Sequence, residues 1–293
     1  MKNFSFTKNS KIFFSITAAM LVLGILSFVF IGFNWDVDFA GGTELVYKIG
    51  TVDKTMTDNI EAKVKEIIGN DRFSSIMSSG DAKDEIIIRT NEITSEEREA
   101  IFESVKEDYP EVELRSANNV SAAVSGDLRR AAVVSTGVAV ILMLLYITIR
   151  FQFSSAAAAV VCLVHDVFIT IFAYSVFQIP VNSNVIAVLL TILGYSINAT
   201  IIIFDRVREN NKLMQKANFA EKVDASIKST LRRSINTTLT TLFTIGMIYI
   251  LGVTSIKNFA LPLIIGILAG LYSSVCLAGP LWNVFKKKNS KVR

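Results

Sequence analysis

A chain of 293 residues that is 51% hydrophobic, with a mean hydropathy of +0.46, is too apolar for a soluble domain of that length. Its formal charge of +4 averages an acidic middle with basic flanks, because 21 of its 26 acidic residues lie between Asp36 and Asp127. That pattern is not one of a nucleic-acid partner. With one histidine (His165), no CxxC, and Cys162 and Cys276 both inside apolar runs, the chain has neither a zinc pattern nor a disulfide framework, and no metal or cofactor is expected.

In chain order, the first apolar run is Ile12–Phe33. A helix needs roughly 20 apolar residues to cross the hydrocarbon. The run is too long for the apolar part of a signal peptide and no small-x-small cleavage pattern follows it, so it reads as a retained span. A polar stretch from about Asp36 to Gly126 comes next. Within it the periodicity predicts strands at Thr43–Ile49, Phe73–Ser78, Glu85–Arg89 and Val112–Ser116, and helices at Thr57–Ile68 and Ser95–Asp108. The order βαββαβ is that of a ferredoxin-like split unit. Gly41-Gly42 reads as the turn that joins the membrane to the first strand. The stretch has no nucleophile–base pair and no phosphate loop, which leaves a small docking domain or a domain that handles a polypeptide.

Five more apolar runs follow: about Ala131–Ile149, Ala156–Phe177, Val185–Phe204, Ile235–Val253 and Phe259–Phe285. The fold class is therefore a polytopic α-helical membrane protein of six transmembrane helices, with one extracytoplasmic α+β (ferredoxin-like) domain between spans one and two. Lys and Arg set its orientation. The N-terminus (Lys2, Lys8, Lys11), the segment between spans four and five (Arg206 to Arg233) and the tail (Lys286, Lys287, Lys288, Lys291, Arg293) fall on one side, which is the cytoplasm. Arg129 and Arg130, at the other side, go mildly against the rule. The chain divides into 1–34, the N-terminus and span one; 35–127, the outer domain; 128–285, spans two to six with an inner loop at about 205–233; and 286–293, the basic tail. Within that inner loop, 207–227 has an amphipathic pattern with Phe219, Val223 and Ile227 on one face, expected on the membrane surface.

Ionisable groups inside a span need a reason. Asp166 stands near the middle of span three beside His165. Span four carries Asn184, Thr191, Asn198 and Asp205 at steps of seven, on one face. Span five begins at Arg233 and continues through Asn236, Thr237, Thr240 and Thr244. Two such faces on consecutive spans would bury each other or line a wet path. The bland alternatives are interhelical hydrogen bonds for Thr and Asn, a lipid-headgroup anchor for Arg233, simple solvation for Asp205 and a structural hydrogen bond from a protonated carboxyl for Asp166. Gly266, Gly270, Gly279 and the small residues between them, Ser273 and Ser274 included, read as a close-packing stripe on span six.

Five segments, in order, carry a resemblance. Trp35-Asp-Val-Asp-Phe-Ala-Gly-Gly-Thr43 follows span one, and Leu163-Val-His-Asp-Val167 lies in span three. Leu190-Thr-Ile-Leu-Gly-Tyr-Ser-Ile-Asn-Ala-Thr200 runs into Ile-Ile-Ile-Phe-Asp-Arg-Val-Arg-Glu-Asn210. Arg233-Ser-Ile-Asn-Thr-Thr-Leu-Thr-Thr241 and Gly270-Leu-Tyr-Ser-Ser-Val-Cys-Leu-Ala-Gly-Pro280 complete the set. Over nearly its whole length the chain resembles the SecF branch of the SecD/SecF family of export subunits, within the RND superfamily. The resemblance implies a multi-pass subunit of the bacterial cytoplasmic membrane, both termini inside. It implies a SecD-like subunit as obligate partner, contact with the SecYEG channel, the exported polypeptide and membrane lipids, and no covalent chemistry. It makes Asp166, Asn198, Arg233 and Asp205 the candidates for ion coupling, with Arg233 facing an acid on the partner. It makes Asp36, Asp38, Gly41, Gly42 and Thr43 the candidate hinge between membrane and domain. Ala199 departs from the family, which has an Asp there. Two rivals stay open: half of an RND-type small-molecule exporter, and a passive scaffold subunit of the translocase. An intramembrane protease lacks any HExxH or serine-nucleophile pattern.

Overall fold

The structure is a computed structural model that describes residues 4–80, 84–150 and 152–291, without the side chains of 254, 255 and 287–291. Lys2, Arg293 and the side chains of Lys287, Lys288 and Lys291, which belong to the expected basic flanks, lie outside the described set.

Helix α1 (Ser10–Phe30) leads through a short helix, α2 (Val37–Ala40), into the polar domain. That domain runs β1 (Gly42–Lys48), α3 (Lys54–Ile68), β2 (Phe73–Ser79), β3 (Glu85–Thr90), α4 (Ser95–Asp108) and β4 (Glu113–Val120). The strands form one antiparallel sheet in the order β2-β3-β1-β4, which is the split βαβ topology read from the sequence. Both helices carry their own start signals. Asp53 accepts from the Met56 amide at 2.7 Å, and Thr94 and Glu97 close a capping box. Alternation along the strands sends Leu45, Tyr47, Ile86 and Ile88 to one face. There they meet Ile60 and Val64 of α3 and Ile101 and Val105 of α4, all fully buried. The opposite face, with Glu44, Val46, Ile87 and Arg89, looks toward the helical bundle across a cavity of about 540 Å³.

The remaining helices are α5 (Ala122–Arg150), α6 (Phe153–Val176), α7 (Asn184–Leu213), α8 (Phe219–Leu251), α9 (Thr254–Tyr272) and α10 (Gly279–Lys291). A π-helical turn, Ser273–Ala278, joins the last two into one crossing, so among the described residues six helices are long and apolar enough to span a membrane. Pro280 explains the wide turn: it has no N–H to give the carbonyl four residues back, and its ring would clash there. Helix α6 and the α9–α10 crossing form the buried centre, whereas α1, α5 and most of α8 expose their apolar sides. Those exposed sides suit lipid or a neighbouring chain.

The inner stretch at 205–233 is mostly helix, since α7 extends to Leu213 and α8 begins at Phe219. Its amphipathic face is turned into the protein rather than left free for a membrane surface. Val223 and Ile227 are fully buried in the same cluster as Phe204 and Trp282, because the two helices extend past the bundle and pack on its end. Cys162 is buried and Cys276 half-buried, both as free thiols in the core.

Candidate functional site

The helical bundle encloses one polar centre. Asp166, on α6, is fully buried. Its Oδ2 accepts from Ser273 Oγ at 2.8 Å and from Ser196 Oγ, and its Oδ1 meets His165 Nδ1 at 2.8 Å. Its backbone carbonyl takes the Thr170 hydroxyl at 2.8 Å. Ser196 comes from α7 and Ser273 from the π turn, so the carboxyl ties three elements together. The widened turn matters here: it presents Ser273 and Ser274 to the interior, where Ser274 Oγ lies 3.0 Å from Thr200 Oγ1. Such turns inside long helices recur at functional sites. The other ring nitrogen of His165, Nε2, is buried and has no hydrogen-bond partner among the described residues. The ring lies 6.1 Å from that of Tyr272. Glycines permit this closeness. A Cβ on Gly270 would come within 3.2 Å of Ser196, and one on Gly266 would overlap Ile192 on α7.

The other coupling candidates lie elsewhere. Asn184, Thr191 and Asn198 are exposed on α7, and Arg233, Asn236, Thr237, Thr240 and Thr244 are exposed on α8. The two faces do not bury each other; at this level Tyr195 Oη of α7 donates to Thr238 Oγ1 of α8 at 3.1 Å. Arg232, Arg233, Asn236, Thr237 and Thr240 line an open groove of about 550 Å³ with Ser229. The Thr hydroxyls along it turn back onto their own helix, as in Thr240 to the Thr237 carbonyl at 2.9 Å. Asp205 sits at the far end, half-exposed, near Arg208 at 3.7 Å and Arg150 at 3.9 Å.

The segment between membrane and domain is a clasp. Asp36 Oδ1 accepts from the Val37 amide at 2.7 Å and so caps α2. Asp38 Oδ2 accepts from the Ser183 amide at 2.8 Å, at the start of α7. The backbone of residues 34–36 pairs with Val181 through bonds of 2.9 and 3.2 Å. Gly41 and Gly42 have φ of +80° and +115°, and a Cβ on Gly42 would sit 2.1 Å from the Thr90 carbonyl oxygen. Only glycine meets both demands. The polar knot is centred on Arg89, which is 3% exposed. Its guanidinium donates to Glu44 Oε2 at 2.8 Å and to Asn34 Oδ1 at 2.9 Å, and lies 3.6 Å from Asp36 Oδ2. Burial first, and Glu44 beside it, push the Asp36 carboxyl up to about 6, against the pull of Arg89 and the Val37 amide.

Sequence reasoning named Asp166 and Asp36 but missed their partners. Ser273 was absorbed into a packing stripe, and Ser196 lies off the polar face that drew attention to Asn198. Arg89 occupies an outward strand position, where a charged residue is ordinarily solvated.

The family model for the SecD/SecF protein-export membrane protein C-terminal region matches residues 100–288. The protein translocase subunit SecF of Acidaminococcus fermentans is 38% identical over 98% of this chain and 99% of its own. The SecF of Petrotoga mobilis is 33% identical over 100% of this chain and 99% of its own. The crystal structure of SecDF from Thermus thermophilus, a translocon-associated membrane protein, superposes with a TM-score of 0.87 at 31% identity. That match covers 97% of this chain and 39% of the SecDF chain. SecDF of Bacillus subtilis is 32% identical over 99% of this chain, again with 39% of its own length covered. With a family match over most of its length and relatives aligned end to end, the chain belongs to the SecD/SecF family of protein-export membrane proteins.

Proposed function

We propose that this chain is an auxiliary subunit of the Sec translocase. It pairs with a SecD-like subunit beside the SecYEG channel and couples an ion gradient to late steps of protein export. It lies in the bacterial cytoplasmic membrane with both termini inside and the α/β domain outside, as the Lys and Arg distribution favours. The observation that carries the reading is the exposed polar face on α7 and α8. Asn198, Arg233, Asn236 and Thr240 stand uncovered on membrane-spanning helices. An arginine in hydrocarbon without a counterpart is costly, so that face calls for a partner with an acid. The fused SecDF relatives, in which a region like this chain makes up 39% of the length, support a SecD-like unit in that place.

In this reading Arg233 and Asn198 work at the subunit interface, and the acid that Ala199 does not supply comes from the partner. Asp166 acts from within, holding α6, α7 and the π turn in one of two arrangements. Asp205 steadies the inner end of α7. The work is mechanical rather than covalent: the clasp at Asp36–Thr43 transmits bundle movement to the outer domain, with Gly41 and Gly42 as its pivots. A charge crossing the membrane is worth about 2.3 kcal/mol per 100 mV, enough to bias two nearby states.

The test is export in vesicles that hold this chain, a SecD-like partner and the Sec channel. Late-stage export of a preprotein is followed with the gradient intact or collapsed, for the native chain and for Arg233→Ala. Loss of gradient dependence in an assembled Arg233→Ala complex supports the motor. Equal export by both chains, with or without a gradient, sinks the motor and leaves a scaffold, the second reading that Ala199 favours.

A further inference from the structure

We infer that the basic end of the helical bundle carries a binding site for a phosphate-bearing anion, filled by the headgroup of an anionic phospholipid. A small cavity of about 50 Å³ opens where α6 begins, α7 ends, α8 begins and α10 passes. Gln152, Arg208, Asn211, Phe219, Trp282 and Lys286 line it. By the rule that a water needs about 10–15 Å³ of such space, it has room for roughly three or four oxygen-sized groups, which is the bulk of one phosphate.

Its charges are unbalanced. Lys222, in the first turn of α8, is only 9% exposed, and its Nζ donates to Asn211 Oδ1, a neutral acceptor, at 3.0 Å. Lys286 Nζ lies 3.8 Å from the centroid of the Phe219 ring. Neither lysine pairs with a carboxylate among the described residues. The acids at this end are engaged with other groups: Asp205 faces Arg208 and Arg150, Glu209 binds Arg206, Asp224 accepts from Ser5 and Thr7, and Glu221 caps α8. The N-terminus of a 33-residue helix adds its own positive potential where Lys222 stands. A buried ammonium held by one amide oxygen is costly to keep without an anion: Lys222 stands behind the cavity on Asn211, which lines it, while half-buried Lys286 lines it directly, so two lysines without a carboxylate flank the space, beside an Arg208 that already faces Asp205.

The walls select the source of that anion. Phe219 and Trp282 lie ring to ring at 5.3 Å, and Trp282 Nε1 is anchored to Ser154 Oγ at 3.1 Å. Val207 closes the apolar side. Aromatic rings beside lysines at the end of membrane-spanning helices mark the headgroup level, and basic pockets between helices there take anionic headgroups. A soluble phosphate would use the cations and leave the apolar wall unused, whereas a phospholipid uses both.

The test rests on the fluorescence of Trp282. The chain has two tryptophans, so Trp35→Phe in every sample leaves Trp282 as the only reporter. The full chain is placed in vesicles of phosphatidylcholine with either brominated phosphatidylglycerol or brominated phosphatidylcholine, and quenching gives the relative affinity. Phosphatidylglycerol is expected to be favoured by about tenfold or more. Lys222→Gln and Lys286→Gln are each expected to lower that preference about fivefold, and Lys222→Arg to keep it. Inorganic phosphate at millimolar concentration should not relieve quenching by brominated phosphatidylglycerol. Relief by phosphate would overturn the lipid assignment in favour of a soluble anion. Equal quenching by the two lipids in the native-lysine protein would overturn the site altogether, and that arm needs no lysine variant to fold.

Discussion

Arg89→Met tests whether one buried guanidinium holds the α/β domain to the membrane segment. The substitution keeps most of the side-chain volume and removes every contact of the head group. Glu44 loses its 2.8 Å partner, Asn34 its 2.9 Å partner, and Asp36 the cation at 3.6 Å. The carboxylates of Asp36 and Glu44, whose side chains are 12% and 13% exposed, then face each other without compensation. Removing one member of a buried ion pair costs about 3–5 kcal/mol, and protonation of Asp36 recovers part of it, so about 3 kcal/mol is expected at pH 8 and less at pH 5. Through 1.4 kcal/mol per decade, that is an opening equilibrium roughly 100-fold larger. The assay is hydrogen exchange of the full chain in detergent micelles, followed at the amides of β1 and β3 and at the Asp36 and Val181 amides. Adding Glu44→Gln should recover part of the protection, since it removes one of the stranded charges. Exchange within threefold of the native chain at both pH values would refute the argument, because the knot would then be a solvated surface pair.

The Asp36 carboxyl, raised from near 3.8 to about 6, binds its proton more tightly folded than unfolded. The Asp36 contribution to the clasp is therefore fully present below pH 4 and is lost, on the order of 3 kcal/mol, as pH rises through 6; Asp36→Asn should remove this part of the slope, read as the thermal midpoint of the full chain against pH. Asp166→Leu should lower the thermal midpoint in detergent, because the Ser196 and Ser273 hydroxyls and the His165 ring each lose an acceptor at about 1–3 kcal/mol, while Asp166→Asn keeps an acceptor and costs less. A Leu variant as stable as the native chain would show that these groups find other partners. Gly42→Ala forces a Cβ against the Thr90 carbonyl at a positive φ, so a loss of at least about 1–3 kcal/mol is expected in the same melt, with exchange rising along the β1–β3 pairing.

The lengths of the apolar runs predict the six crossings, because the thickness of hydrocarbon sets a helix length that any sequence must meet. The period-two and period-3.6 patterns likewise predict the order of the small domain, since burial on one face is a local property of each element. Helix ends were less legible. The apolar pattern stops near Phe204, but α7 continues to Leu213 because its polar last turns pack on α8. The same contact turns the face of Val223 and Ile227 inward, into the bundle. Asp166 is conspicuous in the sequence as an acid among apolar residues, yet its partners Ser196 and Ser273 lie 30 and 107 residues away. No local pattern joins them; the crossing of α6, α7 and the π turn does. Arg89 is the clearest case. Alternation places it on the outward face of a strand, and only the docking of that face against the linker and the bundle makes it a buried charge. The sequence by itself determines which segments leave water and which faces are apolar, because those follow from transfer energies residue by residue. The tertiary structure decides which polar groups meet, because that depends on how distant elements cross.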